Sequence, residues 1–325
     1  MAGLPPVWPR KGSDEVRLHV LPANPDRMFA SLPTFLRVPI ACLLLLASTL
    51  LHVTPLLALS LVRVISPTAG MRRSIGAALV WIAESWLGIN ARLFGAFTRT
   101  RWVVEGDDGL APRENYLMVC NHQSWVDIPA LQKVFNRRVP FMRFFLKSQL
   151  IWVPLLGPAW WALDFPFMKR HSRQQLEARP ELRGKDREAT RRACEKFRHL
   201  PVSVMNFTEG TRFTPAKHDA QKSPYVHLLK PKAGGVAFVI DAMGDAIRQI
   251  LDITIVYPDG PATMTDLIAG RIREIRIHMR LLPILPSMRG DYENDAAFRE
   301  GFQQWVNQLW AEKDARIAAM LASPR

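Results

Sequence analysis

A chain of 325 residues has room for one large α/β domain, or two modest ones, together with an appendage. Apolar residues make up 48%, which excludes a disordered chain, and 43 Lys and Arg against 29 Asp and Glu leave a charge of +14. The partner this balance points to is anionic: nucleic acid, a phospholipid surface or a phosphorylated small molecule.

Residues 1–36 carry prolines at short intervals, among them Pro5, Pro9, Pro22 and Pro33, and read as a flexible N-terminal tail. From Val38 to Val62 there is no Asp, Glu, Lys or Arg. At about 1.5 Å per residue such a run spans a hydrocarbon core of roughly 30 Å. Arg37 and Arg63 flank it, where long cationic side chains reach headgroups. Its late start, behind polar sequence, does not fit an ordinary cleaved signal peptide. His52 and Pro55 inside it point to a kink, or to a segment that dips into the bilayer and returns. A second apolar stretch, Ser74–Phe97, is interrupted by Glu84, Asn90 and Arg92 and carries Trp81 and Trp86. It reads as an amphipathic helix in the headgroup zone, or one pairing back on the first. The opposing reading is that both stretches are buried helices of a soluble core. Arginines stand on both sides of the first run, so charge bias does not orient it. Residues 37–98 are therefore taken as a membrane-anchoring helical segment, and 99–325 as the α/β domain.

Within that domain Arg101–Glu105, Tyr116–Cys120, Val202–Phe207 and Ile253–Tyr257 read as strands. Ile128–Phe135, Gly235–Met243 and Asp295–Leu321 read as helices. Ile272–Leu281 alternates through Ile275, Ile277, Met279 and Leu281, the pattern of a half-buried strand. Between Arg170 and His199 lies a charged insertion, read as a solvated helical pair; Arg173–Arg198 within it is the part expected to lie against headgroups, CoA phosphates or an acidic carrier protein.

Three segments hold residues able to do chemistry. Asn121-His122-Gln123-Ser124-Trp125-Val126-Asp127 follows directly on a predicted strand, where α/β proteins collect ligands. Across a turn into a helix, Asp127 can hold one ring N–H of His122 and leave the other nitrogen to take a proton. On spacing alone, a capping or surface pair explains the same residues. Phe207-Thr208-Glu209-Gly210-Thr211-Arg212 again follows a strand: the glycine admits a ligand to the backbone, and Arg212 offers a planar fork to phosphate. An ordinary turn with a solvated arginine is the bland alternative. Lys147 and Lys169-Arg170 bracket an apolar stretch rich in Trp, Pro and Gly, which suits a ligand with a charged head and an apolar tail; a core helix with solvated ends is its counterpart.

Taken together these segments resemble the glycerolipid acyltransferases, the lysophospholipid acyltransferase superfamily. Asn121-His122-x4-Asp127 matches its NHx4D block. Lys147-x2-Leu150-x3-Pro154-x2-Gly157, ending at Arg170, is similar to its second block. Phe207-x-Glu209-Gly210-Thr211-Arg212 resembles the third, and Val256-Tyr257-Pro258 the fourth. Thr208 stands where the family usually has Pro. With Phe213, Thr214, Lys217 and His218, it resembles a branch containing 1-acylglycerol-3-phosphate acyltransferases.

The resemblance implies a mixed, mostly parallel sheet flanked by helices, and acyl transfer from acyl-CoA or acyl carrier protein to a lysophospholipid hydroxyl, with lysophosphatidic acid the favoured acceptor. It implies His122 as general base and Asp127 as the residue orienting it. Lys147, Arg170 and Arg212 would bind the acceptor phosphate, with Glu209, Gly210 and Thr211 shaping the pocket. It implies no metal and no further cofactor, since a thiolate is already a good leaving group. It also implies a membrane location, taken as a bacterial inner membrane with the catalytic domain on the cytoplasmic side. A nucleophile at Ser124 or Cys120 is the competing chemistry; Ser124 is too near His122 in sequence, and Cys120 ends a buried strand. Zinc at His122 and Asp127 lacks a third ligand at a recognisable spacing. Nucleic acid is not expected as a partner, because no reader module appears and the ten Trp sit mostly in apolar segments. A membrane scaffold without catalysis remains the other class of reading.

Overall fold

The computed structural model describes residues 18–20, 29–106, 109–168, 185–198 and 200–324. Its first long element, α1 (Thr34–Ile65), turns at Ser66–Pro67 into α2 (Ala69–Phe97), which Thr68 caps by accepting from the Met71 N–H at 3.2 Å. The two form an antiparallel hairpin. Val53 and Leu56 of α1 pack with Leu79 and Ala83 of α2, and Ser48, His52 and Ser60 of the apolar run are buried. Ser48 Oγ donates to Asn90 Oδ1 at 3.0 Å, while His52 bridges the Ser48 carbonyl at 2.7 Å and Ser85 Oγ at 3.5 Å.

α1 runs as one continuous helix through Pro39 and Pro55, with His52 turned inward onto the hairpin. Packing along the hairpin outweighs the hydrogen bond each proline removes. Of the two alternatives for the second apolar stretch, the structure has it pairing back on the first helix. Among the described residues one helix, α1, is long and apolar enough to cross a membrane.

The α/β part is built on a seven-stranded sheet in the order β1-β2-β9-β8-β3-β7-β4. Its strands are β1 (Leu18–Val20), β2 (Arg101–Gly106), β3 (Tyr116–Cys120), β4 (Met142–Phe144), β7 (Ser203–Phe207), β8 (Gln249–Val256) and β9 (Glu274–Pro283). β8, β3, β7 and β4 are parallel neighbours, as are β2 and β9, whereas β1–β2 and β8–β9 are antiparallel. The sheet is thus mixed and mostly parallel, with helices on both faces. β1 is a correction to the loose-tail reading: the Leu-His-Val triplet pairs with Val103–Glu105 at the sheet edge despite the surrounding prolines.

Every residue of β3 is buried, as an apolar strand covered on both faces requires. Tyr116, Met118 and Cys120 point to the layer containing α1, α2, α3 (Asp127–Phe135) and α4 (Leu156–Ala162). Leu117 and Val119 point to the layer of α5 (Lys185–Phe197), α7 (Ala233–Met243) and α9 (Ala296–Ala322), and the short helices α6 (Pro215–Gln221) and α8 (Met264–Ile268) lie in the connections. The hairpin is fixed to its layer by polar links as well: Arg63 pairs with Asp164 at 2.9 Å and donates to the Ala162 carbonyl at 3.2 Å, and Asn136 Nδ2 donates to the Glu84 carbonyl at 3.0 Å.

β9 departs from the half-buried pattern. Its apolar residues Ile275, Ile277 and Met279 face the hairpin layer, but Arg276 and His278, on the other face, are also buried. Beneath α9 lies a charged cluster in which Lys313 Nζ donates to Asp252 Oδ1 at 2.5 Å and to the Ile253 carbonyl at 2.6 Å. Arg280 reaches Asp252 at 2.8 Å and Glu312 at 2.9 Å. The charged residues of β9 alternate with apolar ones because each has a partner, not because they meet water. The insertion is likewise less solvated than expected over its described part: Cys194 and Phe197 of α5 are buried against α7, while Arg191 and Arg192 are exposed and ion-paired with Glu188.

Candidate active site

Three of the four sequence blocks follow β3, β7 and β8, which lie side by side and run in the same direction. Their carboxyl ends therefore open at one rim of the sheet. Asn121 ties the chain after β3 to β8 at that rim, its amide donating to the Ile255 carbonyl and accepting from the Ile255 N–H, both at 2.9 Å.

His122 comes next, and its Nδ1 lies 2.7 Å from Asp127 Oδ2. Asp127 opens α3 and is fully buried. The same Oδ2 accepts the backbone N–H groups of Gln123 and Ser124 at 2.7 and 3.0 Å. Its Oδ1 accepts the Tyr257 hydroxyl at 2.7 Å. With Nδ1 turned to a carboxylate, the imidazole carries its proton there and Nε2 is the nitrogen available to a reacting group. The ring stacks on Phe207, the last residue of β7, with centroids 4.0 Å apart.

The block after β7 closes over the block after β3. The Thr208 N–H donates to the Cys120 carbonyl at 3.3 Å, and the Phe213 N–H to the His122 carbonyl at 2.8 Å. Glu209 is buried, taking the N–H of His122 on Oε1 at 3.3 Å and that of Leu229 on Oε2 at 3.4 Å. Burial pushes its carboxyl up to about 8, against the pull of those two N–H groups. Gly210 has φ of +70°, and a Cβ there would meet the Lys232 side chain at 3.3 Å, so the turn favours glycine. Lys217 Nζ binds Thr211 Oγ1 at 2.8 Å and the Arg212 carbonyl at 3.0 Å, which holds this loop in shape. The Arg212 guanidinium lies over the Trp125 ring at 4.3 Å.

The structure thus brings together His122, Asp127, Glu209, Gly210, Thr211 and Arg212. Lys147 is exposed on β5 (Leu146–Lys147), in a separate two-stranded pairing with β6 (Phe167–Met168), and among the described residues no hydrogen bond or ion pair joins it to that group. Arg170 lies outside the described residues. Ser124 Oγ is engaged by the Ala262 carbonyl and the Val126 N–H. The Cys120 thiol is fully buried and pushed well above its usual range by burial, so it is no ready thiolate.

Sequence reasoning gave no role to Tyr257, Lys217 or Trp125. The signal for Tyr257 was a hydroxyl directly past the carboxyl end of a buried strand. Its phenol is pushed up by burial first and the Asp127 charge second, which keeps it a donor.

Residues 101–258 match the family model described as Acyltransferase. Over 253 residues the chain is 28% identical to lysocardiolipin acyltransferase 1 of Danio rerio, covering 73% of this chain and 60% of that protein. It is 24% identical over 262 residues to 1-acyl-sn-glycerol-3-phosphate acyltransferase 2 of Arabidopsis thaliana, covering 75% and 60% respectively. The chain therefore matches only about three fifths of the length of these curated relatives. The fold is that of the 1-acyl-sn-glycerophosphate acyltransferase PlsC from Thermotoga maritima, with a TM-score of 0.51 at 16% identity over 89% of this chain and 99% of that one.

Proposed function

The chain carries an acyltransferase domain of the glycerolipid acyltransferase superfamily, and from that premise we propose that it transfers an acyl group from a thioester donor to the free hydroxyl of a lysophospholipid. The observation that carries this reading is the 2.7 Å contact of His122 Nδ1 with Asp127 at the carboxyl end of β3, with Arg212 across the loop interface. His122 Nε2 takes the proton of the acceptor hydroxyl as its oxygen attacks the thioester carbonyl. Asp127 holds the ring and balances the imidazolium that forms. The tetrahedral centre collapses with cleavage of the C–S bond, and the departing thiolate recovers the proton from Nε2. No covalent enzyme intermediate is needed, and the buried thiol of Cys120 and the engaged hydroxyl of Ser124 support its omission.

Arg212, half-buried and stacked on Trp125, is the group this reading assigns to the acceptor phosphate, with Lys147 and Arg170 as its companions from the second block. Glu209, Gly210 and Thr211 shape the pocket beside it. Lysophosphatidic acid is the favoured acceptor, and the relatives named for 1-acyl-sn-glycerol-3-phosphate support it. Acyl-CoA or acyl carrier protein is the donor.

The apolar α1, with Leu43, Leu51, Leu61 and Ile65 exposed along it, supports a membrane location. The catalytic domain then stands on the side that carries the donor, the cytoplasmic face of an inner membrane in a bacterium.

The test is one assay on purified membranes, with lysophosphatidic acid and other lysophospholipids offered against a panel of acyl-CoAs and thiol release followed. General-base assistance is worth ~10²–10⁴-fold, so His122→Ala loses that much rate while keeping its far-UV circular dichroism. A wild-type rate in that variant removes the mechanism, and no thioester turnover with any lysophospholipid removes the function.

A further inference from the structure

Four rings stand in a row away from the reaction centre: His122, Phe207, Phe144 and Phe165, with successive centroids 4.0, 6.2 and 6.3 Å apart and planes within 20° of parallel. Phe165, at the far end, lines a cavity of about 320 Å³ that takes residues from within the second block but none from the blocks that follow β3, β7 and β8. That volume is at the lower bound of ordinary small-molecule sites, roughly 300–1,000 Å³.

Its walls come from three parts of the chain. α1 and α2 contribute Arg63 and Arg72, α4 and the segment after it contribute Trp161 and Asp164, and α5 contributes Lys196. Arg63 and Asp164 neutralise one another at 2.9 Å. Arg72 spends Nε and Nη2 on the Ser66 and Pro67 carbonyls at 3.1 and 3.2 Å, which fixes its guanidinium at the mouth while keeping its charge. Lys196 is exposed, and among the described residues Asp164 is the only acid in the lining. Behind this wall Arg143 is 3% exposed, and the charges of both Asp164 and Arg63 act on it. Arg143 donates from Nε to the Leu163 carbonyl at 2.9 Å, while its buried Nη1 has no partner among the described residues. Among the described residues, three cations of the lining and Arg143 behind it thus stand against a single carboxylate, and the excess charge calls for an anion.

The remaining walls are apolar: Val64, Phe165, Pro166 and the half-exposed ring of Trp161. Just outside, Leu61, Val62 and Ile65 of the last turns of α1 are exposed, at 68, 46 and 79%. The ligand that suits such a place has a phosphate head and an apolar body. We infer that this cavity is a second phosphate-binding subsite, separate from the reaction centre, which takes the phosphate head of an anionic phospholipid and so clamps the α1–α2 hairpin to the acyltransferase domain. Basic pockets between helices near a membrane surface hold headgroups in this way. The inference rests on the cavity and its charges, not on the acyl-transfer reading, and an inactive chain would answer its test equally well.

The test uses the full chain in detergent, with dihexanoyl phosphatidic acid as probe, dihexanoyl phosphatidylcholine as the zwitterionic control and inorganic phosphate as competitor. All arms are run in an Arg212→Gln background, so that the reaction centre does not supply the phosphate contact. Binding of phosphatidic acid persists in that background and weakens about five- to tenfold on adding Lys196→Glu. Arg72→Gln weakens it similarly, and the exposed Lys196 serves as the second variant because Arg72 also holds the α1–α2 turn; melting curves confirm the fold of each. Displacement by inorganic phosphate at concentrations matching the lipid identifies free phosphate as the source, whereas resistance to it identifies the lipid. Binding abolished by Arg212→Gln alone, or binding indifferent to Lys196→Glu and equal for the two lipids, overturns the inference.

Discussion

The most exposing test of the catalytic geometry is Tyr257→Phe. Asp127 Oδ2 has three donors, the His122 ring and the N–H groups of Gln123 and Ser124, whereas Oδ1 has the Tyr257 hydroxyl at 2.7 Å. Removing that hydroxyl leaves a buried carboxylate oxygen without its donor in a site that water does not readily reach, Tyr257 being 3% and Asp127 0% exposed. A hydrogen bond to a charged group contributes about 1.5–3 kcal/mol net. If the whole of that loss falls on the poise of the imidazole, kcat drops by about 10- to 150-fold at 1.36 kcal/mol per decade. KM for the acceptor stays within about threefold, because Tyr257 reaches the substrate only through Asp127 and His122. The assay is steady-state thioester turnover, and a double-mutant cycle with Asp127→Asn isolates the coupling: once the carboxylate is an amide, adding Tyr257→Phe costs little more. A kcat within twofold of wild type, or strictly additive losses in the cycle, refutes the view that β8 positions the base.

Other outcomes follow from the same geometry. Arg212→Lys keeps the charge but loses the planar fork and the stack on Trp125 at 4.3 Å, so acceptor KM rises about tenfold while kcat moves less; a change in kcat alone would argue against a binding role. Glu209 is raised from 4.5 to about 8 by burial. A raised folded value means its contribution to stability is complete below pH 4.5 and is lost as pH climbs through 8. Urea unfolding at stepped pH should therefore show wild type losing on the order of a few kcal/mol relative to Glu209→Gln across that window, and parallel curves would contradict it. Lys313→Met strands the Asp252 carboxylate with only Arg280 as cationic partner and costs about 3 kcal/mol in chemical denaturation, whereas a loss below about 1 kcal/mol would mean the cluster under α9 is not a mutual pairing.

Much of the fold was legible along the chain because its signals are local. Tyr116–Cys120 is a run of apolar residues with polar residues at its end, and the structure has a strand over those same residues. α7 begins two residues before the reading and ends with it, since helical periodicity survives in an isolated segment. Short pieces escaped: Met142–Phe144 and Phe167–Met168 are too brief to show any period, and exist as strands only because β7 and β5 offer them ladders. The Leu18–Val20 strand failed for the same reason, its three residues outvoted in sequence by surrounding prolines. The partners of His52 were also out of reach of the sequence, for one is the Ser48 carbonyl a turn earlier on α1 and the other is Ser85 across the hairpin.

The sequence by itself determined the two apolar stretches, the order of the four blocks and the placing of Asp127 within a turn of His122, because each is read along the chain; that the second stretch pairs back on the first was decided by the tertiary structure. Only the tertiary structure decided that β8 lies beside β3, which carries Tyr257 to Asp127 across 130 positions, and that Lys313 meets Asp252 across 61. Strand order is set by which backbone ladders and side-chain layers close together over the whole chain, and no window of sequence contains that closure.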